Sequence, residues 1–290
     1  MSQPRVHDAA DAFDALSLSP NEREHPCWGC GKPAPPLDQK PFGRCDLCAE
    51  AKYAVCARFC SNACPQKHRL RHKEWHEKKD ACIEDVASQP NLAALRREAA
   101  KDEAEAKDEY SRLVAQAYEA AFRCDLKAAV KLAKAAIKLD PDKSCAHFVL
   151  GNAHGTCGDY LRASECYLAA MERDTPDSEG WAYSTRQAWD TRRRAQPCNS
   201  DDLFCGCKRC AALPEKPEWM SSPQTVAPIA ERVVAAQPQD AAAWWMHAKV
   251  NHEIRDWCTA SKSYMKAGKL FGDRGQPEER EECLRAAKEC

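Results

Sequence analysis

Residues 27–76 read CWGCGKPAPPLDQKPFGRCDLCAEAKYAVCARFCSNACPQKHRLRHKEWH, and cysteine and histidine recur in this cysteine-rich segment as closely spaced pairs. The pairs are Cys27-x2-Cys30, Cys45-x2-Cys48, Cys60-x3-Cys64 and His72-x3-His76. Thiolate and imidazole are ligands that Zn²⁺ prefers, and two such residues one turn apart reach the same ion. Four pairs therefore predict two tetrahedral zinc sites. The metal would supply the folding energy that so short and polar a stretch cannot obtain from an apolar core.

The second half of the segment follows a family-specific order. Phe59-Cys60-Ser61 is followed by Cys64, Gln66, His68 and the step His72-Lys73. Together with the ligand spacing of residues 27–76, this order resembles the MYND zinc finger. The resemblance implies interleaved ligands, with the first and third pairs on one zinc ion and the second and fourth on the other. The two implied sets are Cys27, Cys30, Cys60 and Cys64, and Cys45, Cys48, His72 and His76.

The ligand assignment leaves two alternatives open. His76 stands where the family usually has cysteine, and Cys82 is a rival for that last position. Cys56 lies in a gap that is longer than usual for the family and is an alternative partner for Cys60. Because protein side chains fill every ligand position, a catalytic zinc with an open coordination site is not expected.

The MYND resemblance also implies a binding function. Similar fingers bind short proline-rich peptides, so we expect a peptide groove near Gln66 and Trp75. Gln66 could hydrogen-bond an extended backbone and Trp75 could stack on proline rings. The alternative for Trp75 is a packing role in the interior of the finger.

Small residues at helical spacing recur after Tyr110 with a period of about 34 residues. One unit contains Gly151, Gly158-Asp159-Tyr160, Ala163, Tyr167 and Ala170, and another contains Trp244, Ala248, Asp256-Trp257, Ala260, Tyr264 and Ala267. This pattern resembles the tetratricopeptide repeat, which implies helix pairs stacked into a solenoid that binds extended peptides. Between these units we expect two helices, Trp181–Arg194 and Thr225–Ala236, and we expect a capping helix over Pro277–Cys290. The alternative is a helical bundle without repeats.

A second cysteine cluster lies between the two predicted helices. Cys198, Cys205, Cys207 and Cys210 have the spacing for a third zinc ion. The alternative is a loop with incidental thiols. The run Cys205–Cys210 also resembles the post-SET motif of SET-and-MYND lysine methyltransferases, which implies a kinship with those enzymes. However, the chain between His76 and Cys205 has no Asn-His-Ser-Cys stretch and no strand-rich segment.

The charge and cysteine content of the chain indicate which kinds of surface and which compartment to expect. The 290 residues carry a formal net charge of −1, which argues against a nucleic-acid or membrane surface. The local excess of lysine and arginine over residues 67–79, Lys79 included, is interleaved with acids and predicts a solvated helix face. Nineteen cysteines with no apolar leader after Met1 and no membrane-length apolar run predict a reducing compartment, the cytosol or nucleus.

The sequence thus predicts a small zinc-stabilised MYND finger followed by an all-α tetratricopeptide-like solenoid. We expect a disordered tail (1–24), the finger (25–82), a charged helical linker (83–109) and the repeat domain (110–290) with a Cys-rich insertion at 195–224. The predicted function is a non-enzymatic, zinc-binding adaptor for protein–protein interaction, in which the finger binds proline-rich peptides and the repeats bind a second partner. The alternative is a degenerate or divergent lysine methyltransferase of the SET-and-MYND type.

Overall fold

The computed structural model describes residues 27, 30, 32, 42–45, 48, 50, 51, 53, 57–61, 63–88, 92–195 and 215–290. The predicted tail (1–24), Cys56 and the four cysteines of the predicted third site lie outside the described residues. Within the described ranges the protein is almost entirely helical. None of the helices in those ranges combines the length and apolar character needed to cross a bilayer.

Two short strands, β1 (Gly43–Arg44) and β2 (Arg58–Phe59), pair antiparallel, with Gly43 opposite Phe59. The described part of the chain then forms twelve α-helices: α1 Ala63–Lys67, α2 Arg69–Ala87, α3 Leu92–Glu105, α4 Glu109–Phe122, α5 Leu126–Leu139, α6 Ser144–Thr156, α7 Tyr160–Met171, α8 Glu179–Arg194, α9 Pro223–Ala236, α10 Ala241–Glu253, α11 Trp257–Asp273 and α12 Pro277–Glu289. A single 3₁₀ turn, Glu218–Met220, precedes α9 in these ranges.

The chain divides into two compact units, Met1–Ala169 and Ala170–Cys290, with the division inside α7. Alanines at the helix contacts let the backbones approach closely. In the first unit Ala117, Ala133 and Ala153 are buried with Leu126 and Val149 in the main apolar cluster. In the second unit, one cluster groups Trp181, Val233 and Ala243, and another groups Ala248, Ala260 and Tyr264.

The helix pairs share one kind of turn. Cys124 (φ 57°), Gly158 (φ 70°) and Arg255 (φ 66°) all adopt the left-handed conformation, and an aspartate follows each of them. Asp125 and Asp256 cap the next helix by accepting the backbone N–H three residues further on. Cys124 and Gly158 are about 34 residues apart, which is the period of a tetratricopeptide repeat. The turn therefore relates α4 and α5 to the later pairs, although their sequence matches those pairs less well.

The helices predicted on either side of the insertion are confirmed. The first is α8, whose N-cap Ser178 accepts the N–H of Trp181. The second is α9, which Ser222 and Thr225 begin with a reciprocal capping box. The helix predicted at the end of the sequence is α12.

The segment predicted as a charged helical linker (83–109) is helical over most of its described residues. The predicted boundary at Cys82 falls inside α2, which continues to Ala87. The next helix, α3, buries Ala99 and packs against α4, where Gln116 donates a hydrogen bond to Glu103 at 2.7 Å. Residues 92–105 thus form a helix that packs against α4, although most of its side chains are exposed.

Gly151 allows α6 and α7 to approach closely. A Cβ at Gly151 would lie 2.7 Å and 2.8 Å from two carbons of the Tyr167 ring, closer than van der Waals contact allows. Tyr167 is held in place because its hydroxyl donates to Asn152 Oδ1 at 2.7 Å. At Gly155, on the same helix, a Cβ would meet Ala163 at an ordinary 3.7 Å.

We predict that Gly151→Ala lowers the free energy of unfolding by about 1–3 kcal/mol, because the added methyl group overpacks the contact with Tyr167. Gly155→Ala is the matched control and should be neutral or stabilising by up to about 1 kcal/mol, since alanine favours the helix. Urea denaturation of both variants measures the difference. Equal stability of the two variants would contradict the prediction.

Candidate metal centre

The structure brings Cys27, Cys30, Cys60 and Cys64 together as a first cluster, with all four sulfur atoms within 4.8 Å of one another. The Sγ atoms of Cys27 and Cys64 are 3.4 Å apart, and those of Cys30 and Cys60 are 3.6 Å apart. A tetrahedral ion with bonds of about 2.3 Å to sulfur separates its ligands by about 3.8 Å. The first cluster could therefore hold a metal ion after a small expansion.

The second cluster consists of Cys45, Cys48, His72 and His76, again with ligand atoms within 4.8 Å of one another. His72 Nε2 lies 3.1 Å and 3.6 Å from the sulfur atoms of Cys45 and Cys48. His76 Nε2 lies 3.3 Å from Cys48 Sγ and 3.2 Å from His72 Nε2. A tetrahedral ion bound to sulfur and nitrogen requires separations of about 3.3–3.6 Å, so this cluster could also hold a metal ion.

Short elements position these ligands. The β1–β2 pair places Cys45 and Cys60 directly after its two strands, and the N–H of Cys45 donates to the carbonyl of Ala57 at 2.9 Å. Cys64 lies on α1. His72 and His76 are four residues apart on α2, so both imidazoles project from the same face of one helix.

Burial and hydrogen bonds adjust the protonation of these ligands. Burial lowers the pKa of His72 to about 4 and also lowers the pKa of His76, so both imidazoles are neutral and can offer a lone pair to a metal. Burial opposes ionisation of Cys27, but backbone N–H groups of Cys30 and Cys60 outweigh it and lower the pKa of the Cys27 thiol to about 7. Burial raises the pKa of Cys64, so that thiol needs the positive charge of an ion to lose its proton.

The expected peptide-contact residues differ in exposure. Gln66 is exposed, whereas Trp75 is only 6% exposed and belongs to the apolar cluster of the cysteine-rich segment. The Trp75 ring stacks on His72 at 5.4 Å and meets Tyr53 edge-on at 5.7 Å. The expectation that Trp75 stacks on a peptide is therefore wrong, because its faces are already covered by the protein. Its packing alternative is the one that the structure favours.

The structure also bears on the rival ligands. Cys82 lies outside both clusters, with its sulfur 3.9 Å from the Tyr160 hydroxyl. Position 56 and the predicted third site at Cys198, Cys205, Cys207 and Cys210 are outside the described residues. Among the described cysteines and histidines, the second cluster therefore contains His76 and not Cys82.

The turn of α2 that follows His76 contacts the repeat. Lys79 is 3% exposed, and its ammonium group donates to Asp159 Oδ1 and, at 2.8 Å, to the carbonyl of Cys157. Burial alone would raise the pKa of Asp159, but the charge of Lys79 holds it well below its ordinary range. The expectation of a fully solvated basic face is thus wrong for Lys79, because a buried carboxylate on the repeat pairs with it.

Sequence reasoning missed the contacts that support these clusters. Tyr53 contacts both His76 and Asp80, and Lys79 pairs with Asp159. The spacing of Lys79 could have indicated its position. Lys79 follows His76 by three residues and so lies near the same side of the helix as a ligand. No sequence pattern pointed to Tyr53.

Comparison with known protein families finds a match for one stretch of the helical region. Residues 146–177, which cover most of α6 and all of α7, match the tetratricopeptide repeat family. A search of curated proteins found no match. Tetratricopeptide repeats generally mediate protein–protein interaction, so the match at residues 146–177 points to a function of that general kind.

We predict that Lys79→Met lowers the free energy of unfolding of the first unit by about 3–5 kcal/mol, because the buried Asp159 loses its counter-charge. Adding Asp159→Asn to this variant should restore part of the loss. Lys73→Met is the matched control on the same helix; its pair with Glu77 is exposed (72% and 62%) and should contribute less than about 0.5 kcal/mol. Denaturation, monitored by hydrogen exchange at residues 157–163, measures the change in stability. Equal effects of Lys79→Met and Lys73→Met would contradict the prediction.

Proposed function

We propose that this protein is a zinc-binding adaptor, in which a MYND-like finger and a tetratricopeptide-like region each bind a protein partner. The observation that carries the proposal is the convergence of eight cysteine and histidine side chains into two four-ligand clusters beside a helical repeat. The interleaved grouping of these clusters is the one that the MYND resemblance implies.

Zinc is the metal that the donor atoms favour. Four thiolates, or two thiolates and two imidazoles, suit a tetrahedral ion of intermediate softness, and hard cations such as Mg²⁺ prefer oxygen ligands. When bound, zinc would supply the cross-links that hold the two-stranded sheet, α1 and α2 together. Residues Cys198, Cys205, Cys207 and Cys210 are proposed to hold a third ion.

The finger is proposed to bind proline-rich peptides through its exposed side. Gln66 is exposed and can hydrogen-bond an extended backbone. Leu70, four residues further along the chain, is 77% exposed and would provide an apolar contact for proline or leucine side chains. Lys67 and Lys73 are exposed close to these residues.

The proposal is a non-enzymatic role in the cytosol or nucleus. Each cluster offers four protein ligands to its ion, which is typical of structural metal sites. Abundant free thiols suit a reducing compartment. A lysine methyltransferase would need a cofactor site, so binding of S-adenosylmethionine by calorimetry would contradict the non-enzymatic role.

Native mass spectrometry of the full chain tests the metal content. We expect three zinc ions, falling to two in the Cys205→Ser, Cys207→Ser double variant and to two when Cys27 and Cys30 are both replaced by serine. Cys145→Ser, Cys258→Ser is the matched control, since both thiols are exposed and belong to neither cluster. A chain that binds no zinc would overturn the proposal, and two ions in both the wild type and the Cys205 variant would remove the third site.

Peptide binding is tested by fluorescence polarisation with a labelled proline- and leucine-containing peptide. Gln66→Ala and Leu70→Ala should each weaken binding several-fold, and a strong chelator should abolish it. Lys78→Ala, an exposed substitution further along α2, serves as the control and should bind like the wild type. Unchanged affinity in both Gln66→Ala and Leu70→Ala would exclude this surface.

A further inference from the structure

Tyr53 lies behind the second cluster rather than in it. Its side chain is 1% exposed, and its hydroxyl is 3.1 Å from His76 Nδ1, the ring nitrogen that faces away from the cluster. The same hydroxyl lies 2.5 Å from Asp80 Oδ1 and 3.3 Å from the carbonyl oxygen of His76, and either oxygen can accept its proton. We propose that Tyr53, supported by Asp80, is a positioning residue that fixes the tautomer and orientation of His76 for metal binding. This inference rests on the proposed metal site.

The single proton of the Tyr53 hydroxyl determines which ring nitrogen of His76 carries hydrogen. A tyrosine hydroxyl has one proton to donate and lone pairs with which to accept. Its two other neighbours, the Asp80 carboxylate and the His76 carbonyl, can only accept. At 2.5 Å the oxygens of Tyr53 and Asp80 would repel each other without a proton between them, so the proton of Tyr53 goes to Asp80. The contact with His76 is then made by a lone pair of the tyrosine oxygen, and Nδ1 of His76 must carry the hydrogen.

The consequence for the metal follows from the chemistry of imidazole. A neutral ring with its hydrogen on Nδ1 has its lone pair on Nε2. Nε2 is the atom of His76 that faces Cys48 Sγ at 3.3 Å and His72 Nε2 at 3.2 Å. The other tautomer would point an N–H into the cluster and could not coordinate an ion there. Tyr53 therefore selects the form of His76 that is competent to bind.

Tyr53 also restrains the His76 ring by packing. The two rings lie 5.2 Å apart at a tilt of 47°, and Trp75 meets Tyr53 edge-on on another side. Asp80 follows His76 by four residues, so one turn of α2 presents both the ligand and the acceptor of the tyrosine proton. The aromatic contacts do not depend on the hydroxyl, so Tyr53→Phe removes the hydrogen bonds and keeps the packing.

The test uses Zn²⁺ as the probe and the full chain, titrated in competition with a chromophoric chelator. Loss of a supporting hydrogen bond to a metal-bound histidine typically lowers metal affinity 10–100-fold. We expect Tyr53→Phe to lower the affinity for one zinc ion by that factor. The affinity of the Cys27, Cys30, Cys60 and Cys64 cluster for its ion should not change. That cluster contains no imidazole and is the internal control. Tyr183→Phe, at an exposed tyrosine of the second unit, is the matched control substitution.

A second readout separates a positioning role from simple loss of structure. ¹⁵N spectra of the histidine rings in the zinc-loaded wild type should show His76 with hydrogen on Nδ1 and metal on Nε2. Metal on Nδ1, or affinities of Tyr53→Phe within twofold of wild type at every site, would overturn the inference. A wild type that binds no zinc would overturn the proposed function itself, so the two failures are distinguishable.

Discussion

The buried ion pair between Lys79 and Asp159 ties α2, the helix that carries both histidine ligands, to the repeat. Neither charge is accessible to water, and each would be strongly unfavourable alone. Asp159 occupies the turn before α7, where Asp125 and Asp256 cap their helices in the other pairs. One repeat turn therefore uses its aspartate to hold α2, and α2 in turn holds both histidines of the second cluster.

The metal clusters and the ion pair act on the same helix in different ways. Metal binding would fix the N-terminal half of α2 through His72 and His76, whereas Lys79 fixes the following turn against the repeat. Apolar contacts alone give α2 little support, because ten of its 19 residues are charged. Polar and coordinate bonds replace the apolar face that an ordinary amphipathic helix buries.

The helices could be predicted from the sequence, whereas contacts between side chains distant in the sequence could not. Helices α8 and α9 could be predicted because apolar periodicity and capping residues are local. Local spacing also grouped the cluster cysteines and histidines into pairs. From the sequence the burial of Lys79 could not be predicted, and that of Trp75 could not be decided, because both depend on what the distant residues Tyr53 and Asp159 place beside them.

The placement of Lys79 three residues after His76 constrains the length of this helix. Each residue of an α-helix turns the chain by about 100° and advances it by about 1.5 Å. One residue inserted between these two positions would rotate Lys79 away from Asp159 or rotate His76 away from Cys48. Substitutions on the exposed side of α2 leave this register intact, whereas an insertion or deletion would not. The spacing within residues 76–79 is thus less free to vary than the identity of most side chains around it.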